Sequence, residues 1–176
     1  MTNSVAGNLA HYAMTQLNPQ APCDSGRVLT VALTCLAEGS STLDYSQSVL
    51  SNAEGETIAY EGTSGSVVCD AGATGGPSPE PTPSVALLSA ESAQSNAGNG
   101  LAGIDLQLAY AQGVYGADLS LTFDPTIVQV IDADETTDGI QIAAGSCPAQ
   151  GLTILNEVDN TNGTIRYALT LSLIHI

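Results

Sequence analysis

Alternating apolar and polar residues mark several short β-strands along the chain. In residues 29–35 (LTVALTC), Leu, Val, Leu and Cys at every second position alternate with Thr and Ala. A period of two places one set of side chains on a buried strand face. Residues 104–110 and 117–123 show the same alternation, and residues 127–131 form a short β-branched run. We therefore predict strands in these segments, with Ile104, Leu106, Leu108 and Tyr110 on one buried face.

Turn signals separate the apolar runs. Asp124-Pro125, Asp138-Gly139, Asn162-Gly163 and residues 52–55 are sequences typical of tight turns. Many short strands at roughly 8–12 residue spacing predict an all-β fold, an antiparallel β-sandwich. Residues 9–17 could pass for a helix, but we assign them to a strand because their sequence recurs later in the chain.

A change of composition separates two halves. Residues 71–84 read AGATGGPSPEPTPS, in which Pro alternates with Ser, Glu and Thr. Such a segment has little apolar surface to bury and favours extended polyproline II, so it is predicted to be a linker.

One short motif occurs near both ends. Residues 11–15 read HYAMT and residues 166–170 read RYALT. We therefore assign residues 1–70 to the C-terminal half of one module and residues 85–170 to the N-terminal half of the next. Residues 171–176 (LSLIHI) do not continue the repeat, and we expect them to be a sequencing-adapter artefact.

Several segments carry a family resemblance. They are VALLS (85–89), Tyr115-Gly116-Ala117, Phe123-Asp124-Pro125, GTIRYALT (163–170), LTVALTCLAEGSS (29–41) and GSVV (65–68). Together they resemble the cohesins of bacterial multi-enzyme scaffolds. The resemblance implies a nine-stranded jelly roll whose first and last strands are adjacent. It also implies a non-catalytic role: docking dockerin modules borne by polysaccharide-degrading proteins, with calcium on the dockerin and no cofactor here.

The resemblance also suggests how the two halves combine. If the ends of a module are neighbours, the linker can join them and the halves can form one circularly permuted sandwich. Residues 1–15 and 163–170 would then compete for one strand position. We expect a single compact domain with one of these segments displaced.

Partner-binding candidates follow from the same resemblance. Asp118 matches a position that hydrogen-bonds the dockerin helix, and Ser120 and Thr122 project on the same side. Gly116 stands where the family often has Asn, and Gln16 where some members have Glu. These departures leave the partner's identity open.

The net charge of the chain disfavours several classes of partner. The chain has 18 acidic residues, only Arg27 and Arg166 as bases, and a net charge of −16. This disfavours nucleic acid and anionic membranes as partners, and the sequence has no apolar stretch long enough to span a bilayer. The acidity suits either a soluble extracellular protein or a face that attracts a basic partner. The carboxylates lie mostly at turns rather than in a catalytic pair, so an enzyme is not expected.

Two alternatives stay open, namely a carbohydrate-binding jelly roll and a structural spacer of a surface protein. Scattered tyrosines and the lack of Trp make a sugar-stacking platform the weaker interpretation. Residues 132–139 are acidic but lack the ligand spacing of a calcium loop, so a solvated turn is expected and no metal site is assigned.

Four cysteines without a CxxC pair predict disulfides in an oxidising, extracellular or cell-surface setting, where the signal peptide would lie upstream of this segment. Three connectivities are possible. A permuted domain favours Cys23–Cys147, because both residues lie in loops that bracket the repeated strand, and leaves Cys35 for Cys69.

Overall fold

The computed structural model describes residues 22–70, 86–98, 100–137, 141–148 and 151–171, together with the strand backbone of residues 2–6 and 9–13. These parts are all-β. They contain no helix that is long and apolar enough to cross a membrane.

The strands of the first half are short except for the third. They are β1 (Thr2–Ala6), β2 (Leu9–Ala13), β3 (Gly26–Cys35), β4 (Gly39–Tyr45), β5 (Val49–Ser51), β6 (Thr57–Ile58), β7 (Tyr60–Thr63) and β8 (Gly65–Asp70). The second half contributes β9 (Ala86–Ala90), β10 (Ala93–Asn96), β11 (Leu101–Ala109), β12 (Gly116–Thr122), β13 (Val128–Val130), β14 (Ala143–Ala144), β15 (Leu152–Asp159) and β16 (Thr164–Thr170).

Two mixed sheets form the body of the molecule, in an arrangement consistent with a β-sandwich. The first, which we call the β12 sheet, runs β10-β8-β4-β12-β16-β15, with β5 paired to β12 and β6 paired to β5. The second, which we call the opposite sheet, runs β13-β3-β11-β9-β7, with β14 attached to β3. β1 and β2 pair with each other as a separate two-stranded sheet.

The predicted alternation fills the core. Leu29, Val31, Leu33 and Cys35 of β3 are buried, and so are Leu119 and Leu121 of β12. Ile104, Leu106 and Leu108 of β11 pack in the same cluster. Because the sequence contains no Trp and one Phe, this core is mainly aliphatic.

Tyr110 is the exception, and its prediction as a buried strand residue is wrong. Strand β11 ends at Ala109, and Tyr110 has a positive φ of 57°. This left-handed conformation takes the backbone out of the pleat, and the side chain is 48% exposed. The strand assigned to residues 127–131 is also shorter, at Val128–Val130.

Both halves contribute to the same two sheets. β3 lies beside β11, and β4 and β5 lie beside β12, all in antiparallel pairs. Two parallel pairs, β7 with β9 and β8 with β10, join the strands on either side of residues 71–85. Each half therefore supplies only part of each sheet.

The two copies of the repeated motif have different positions. Residues 166–170 belong to β16, which is hydrogen-bonded to β12 on one side and β15 on the other. Residues 11–13 belong to β2, whose strand partner is β1. The assignment of residues 9–13 to a strand rather than a helix is confirmed.

Candidate functional site

Strand β12 lies in the interior of the β12 sheet. β4 and β5 pair with one edge of it, and β16 pairs with the other along seven register positions. Leu119 and Leu121 are buried while Asp118 is exposed, and Ser120 and Thr122 are half-buried. The three predicted binding residues Asp118, Ser120 and Thr122 therefore share the outer face of the sheet.

Apolar side chains flank Asp118 on this outer face. Asp118 is opposite Val49 of β5 on one side and Ala168 of β16 on the other, and Ala168 is opposite Leu155 of β15. Val49 is 46% exposed. In the next row, Leu152 is opposite Thr170. One carboxylate thus sits in a band of small and aliphatic side chains.

The carboxylate of Asp118 has no polar partner among the described residues. The described residues offer its side chain no hydrogen bond or ion pair, although it lies on an interior strand. A polar group displayed in this way among apolar neighbours can fix the orientation of a partner, while the apolar surface contributes affinity.

Charges lie towards the other end of the same face. Ser120 is opposite Arg166, which is opposite Glu157. One row further, Thr122 is opposite Asp44 and Thr164. Arg166 is the single base on this face and makes no ion pair with the described carboxylates. The face therefore has an apolar end around Asp118 and a charged end around Arg166.

Ser46 and Ser48 close the gap between β4 and β5. The amide and hydroxyl of Ser46 donate to the carbonyl of Ser120, at 2.9 and 3.1 Å. The Ser48 hydroxyl accepts from the Ser120 amide at 3.2 Å. The backbone of β12 is therefore hydrogen-bonded at Ser120 too, between its pairs with β4 and with β5.

Two other predicted partner-binding residues have different outcomes. Gly116 is buried between Ser51 and Thr170, so its position offers the partner no side chain. A Cβ added to Gly116 would meet the Ser51 hydroxyl at 2.8 Å, so a larger residue there would require the Ser51 side chain to move. Gln16 lies outside the described residues.

The apolar part of the site could not be recognised from local sequence patterns. Val49 begins a three-residue strand that is too short to show a period, and the register shift between Thr153 and Leu155 breaks the alternation of β15. Leu155 and Leu152 reach the outer face only because of this bulge. Ala168 was visible in the RYALT motif, since it alternates with the buried Tyr167 and Leu169.

The outer face of the opposite sheet has fewer free charges. Asp105 of β11 accepts a hydrogen bond from the Thr30 hydroxyl and pairs with Arg27 at 3.4 Å. Gly103 is opposite Ala32, two residues along from the pair of Asp105 and Thr30. Neither residue has a large side chain at this point of the sheet.

A cleft of about 350 Å³ opens beside β13, lined by Thr34, Gln129, Val130, Ile131, Asp132, Gln141, Val158 and Asn160. The Asn160 side chain bonds both backbone groups of Val130, at 2.9 and 3.0 Å. Gln141 accepts from the Val158 amide. These amides join the edges of the two sheets, so the remaining polar side chains of the cleft are those of Thr34, Gln129 and Asp132.

The described tyrosines are not grouped on one exposed surface, because Tyr45 and Tyr60 are half-buried beside Gly62 and Tyr110 is exposed on its own strand end. Tyr167 is fully buried, and its pKa is raised by burial. The hydroxyl of Tyr60 donates to Ser48 O. Tyr45 lies against Gly62 with a buried hydroxyl that has no partner in the described residues, and burial raises its pKa.

Acidic turns account for several of the carboxylates. Asp124 and Asp134 each accept from the amide and hydroxyl of the threonine two residues later, and these bonds lower the pKa of both groups. Among the described residues, no group of three or more His, Cys, Asp or Glu is placed to hold a metal ion. Residues 138–140 of the acidic loop lie outside the description.

The cysteines form two disulfides, the pairs favoured from sequence. Cys35–Cys69 joins β3 of the opposite sheet to β8 of the β12 sheet, with Cα atoms 5.8 Å apart. Cys23–Cys147 joins two loops, with Cα atoms 5.5 Å apart. Disulfides of this kind indicate an oxidising environment.

Comparisons with known proteins add no relative: no family model, curated protein or solved structure matches the chain.

Proposed function

We propose that this protein is a non-catalytic, cohesin-like docking module that binds a dockerin-bearing, polysaccharide-degrading protein through the outer face of the β12 sheet. The observation that carries the proposal is Asp118, an exposed and unbonded carboxylate on an interior strand within a band of apolar side chains. Such a band with one oriented polar group suits a helical partner that presents small and polar side chains.

The strand connections support a cohesin-like jelly roll. The resemblance implies that the first and last strands of the module are adjacent. In the permuted order suggested by the sequence, the module begins at β9 and ends at β7 and β8. β7, the last strand but one, pairs with β9, and β8, the last strand, pairs with β10, so the two ends of this order lie side by side. A secreted or cell-surface location follows from the same proposal, and the two disulfides support it.

The test is calorimetric titration with a panel of calcium-loaded dockerin modules. We expect one class to bind, and Asp118→Ala to weaken that binding about tenfold to a hundredfold, because a hydrogen bond to a charged group contributes about 1.5–3 kcal/mol. The matched control is Glu61→Ala. It removes the same charge from an exposed position on β7 of the opposite sheet and should leave affinity unchanged.

Equal weakening by both variants would show that the net charge of the protein, rather than a contact at Asp118 on the β12 sheet, governs binding. Adding a calcium chelator should abolish capture, because the metal is expected on the dockerin.

The alternative with structural support is a carbohydrate-binding module using the cleft beside β13. Retention on insoluble polysaccharide that is unaffected by Asp118→Ala and lost in Gln129→Ala would favour it. Binding to neither class of ligand would favour a structural spacer.

A further inference from the structure

The hairpin formed by β1 and β2 repeats the hairpin formed by β15 and β16 in both of its strands. In the first hairpin Asn3 is opposite Tyr12, and in the second Asn156 is opposite Tyr167. The match extends the five-residue repeat to the preceding strand, at positions defined by hydrogen-bond register rather than by sequence spacing.

The pair of residues two positions closer to the turn is also similar in the two hairpins. Val5 is opposite Ala10 in the first hairpin, and Val158 is opposite Ile165 in the second. The hairpins differ in their turns, because two residues separate Ala6 from Leu9 whereas four residues separate Asp159 from Thr164. This difference explains why one fixed offset detects only the second strand of the repeat.

The repeated residues are those that fix the second hairpin in the fold. Tyr167 is fully buried opposite Leu119 of β12. The Asn156 side chain accepts from the Ile142 amide and donates to the Ile142 carbonyl, both at 2.9 Å. The first hairpin has the same residue types at the same register positions.

The Cys23–Cys147 disulfide tethers the segments that lead to both hairpins at the start of β12. Cys23 forms a bridge with Val114, just before β12 begins. Ten residues lead from Ala13 to Cys23 and can extend about 33 Å, whereas Asp118 and Val114 are four residues apart along a strand, roughly 13 Å. Residues 2–13 can therefore reach the edge of β12 within the same chain.

The second hairpin is tethered at the same disulfide from the other side. Cys147 precedes β15 by only a few residues, and its amide donates to the carbonyl of Arg27 at 2.9 Å. If β15 and β16 leave β12, the covalent link at Cys147 keeps them close. Both hairpins are thus tethered within reach of the edge of β12 that β16 occupies. This tethering gives each hairpin a high effective concentration at that edge.

We propose that the chain interconverts between two arrangements: the one described here, and one in which the β1–β2 hairpin replaces the β15–β16 hairpin beside β12. The described arrangement predominates, because β15 is longer than β1 and Ile165 offers more apolar surface than Ala10 at the same register position. The inference is independent of the partner proposed above.

Engineered disulfides in the full chain test the exchange. Asp118 and Ala168 are directly opposite across β12 and β16, and Ala13 is the repeat equivalent of Ala168. Asp118→Cys with Ala168→Cys should form a bridge almost completely. Asp118→Cys with Ala13→Cys should give a minor intramolecular bridge. Adding Ile165→Ala to the second pair should raise its yield at least tenfold, as peptide mapping of the monomer would measure.

Tyr12→Asp is the matched control, since it should return that yield to background while both native disulfides map unchanged. No rise with Ile165→Ala would overturn the proposal, and so would a bridge found only between two chains. A readout that does not need the Ile165 variant is hydrogen exchange of otherwise unaltered protein. Tyr12→Asp should slow the exchange of β16 amides several-fold, and unchanged rates would overturn the proposal.

Discussion

The two hairpins that share a sequence pattern differ in what surrounds them. The β15–β16 hairpin inserts its buried Tyr167 into the core and shares seven register positions with β12. The β1–β2 hairpin has the same Asn-Tyr and Val-apolar pairs in register, yet it forms a sheet of its own. A strand's local sequence therefore fixes its conformation and its hairpin partner, while the sheet it joins depends on which edge is available.

The largest expected contrast is at the tyrosines. Tyr167→Ala should lower the free energy of unfolding by about 3–5 kcal/mol, because it leaves a cavity where an aromatic side chain is fully buried. Tyr12→Ala should change it by less than about 0.5 kcal/mol, because β2 pairs outside the two main sheets. Denaturant unfolding with the disulfides intact would measure both.

Tyr167→Phe refines this comparison. The Tyr167 hydroxyl lies 3.4 Å from the Thr153 hydroxyl, a long hydrogen bond, so its removal should cost far less than removal of the ring. If the Tyr12 and Tyr167 alanine variants were equally destabilised, the first hairpin would have to be packed in the core as fully as the second.

An intermediate contrast is expected at the asparagines. Asn156→Ala removes both hydrogen bonds to the backbone of Ile142 and should cost about 1–3 kcal/mol, because it leaves partly buried groups without partners. Asn3→Ala is the matched control and should be near neutral in the predominant arrangement. Thermal unfolding of the two variants side by side would show the difference, and equal losses would contradict it.

The smallest contrast concerns acid. Asp159, at the end of β15, accepts from the amides of Thr161 and Asn162 and from the side chain of Asn162, and these bonds lower its pKa below the ordinary value of 3.8. A carboxylate with a lowered folded-state pKa contributes stability above its ordinary pKa, and this contribution is lost as the pH falls through the folded value. The corresponding position of the first hairpin is Ala6.

Replacing Asp159 should therefore flatten the acid limb of the stability curve. We expect Asp159→Asn to lose less stability than the parent protein between about pH 4 and pH 2, because it has no carboxylate to protonate. Glu61→Gln, at an exposed carboxylate without a hydrogen bond in the described residues, should follow the parent curve. Denaturant titrations at a series of pH values would separate the two variants.

Much of the strand content could be predicted because alternation is a local signal. Leu29 to Cys35 and Ala117 to Phe123 show a strict period of two, and the buried residues of these segments follow it. Tyr110 continued the same pattern but is exposed, because a positive φ ends the strand. The alternating pattern alone does not indicate that the strand ends at Ala109, one residue before Tyr110.

The candidate site was only partly visible from sequence. Asp118, Ser120 and Thr122 were placed on one face because they alternate with buried residues of a single strand. Val49, Leu152 and Leu155 lie on other strands, and their placement beside Asp118 depends on register and on a bulge. Neighbours across a sheet come from distant parts of the chain, so local periodicity cannot identify them.

The sequence by itself determined the all-β character, the buried face of each long strand and the repeat that links residues 11–15 to 166–170. Only the tertiary structure decided that β16 rather than β2 lies beside β12, and that strands from both sides of residues 71–85 share the same sheets. The physical reason is that side-chain alternation follows from backbone geometry within a few residues. The choice of a sheet partner instead depends on long-range packing, in which Ile165 and Ala10 are not equivalent.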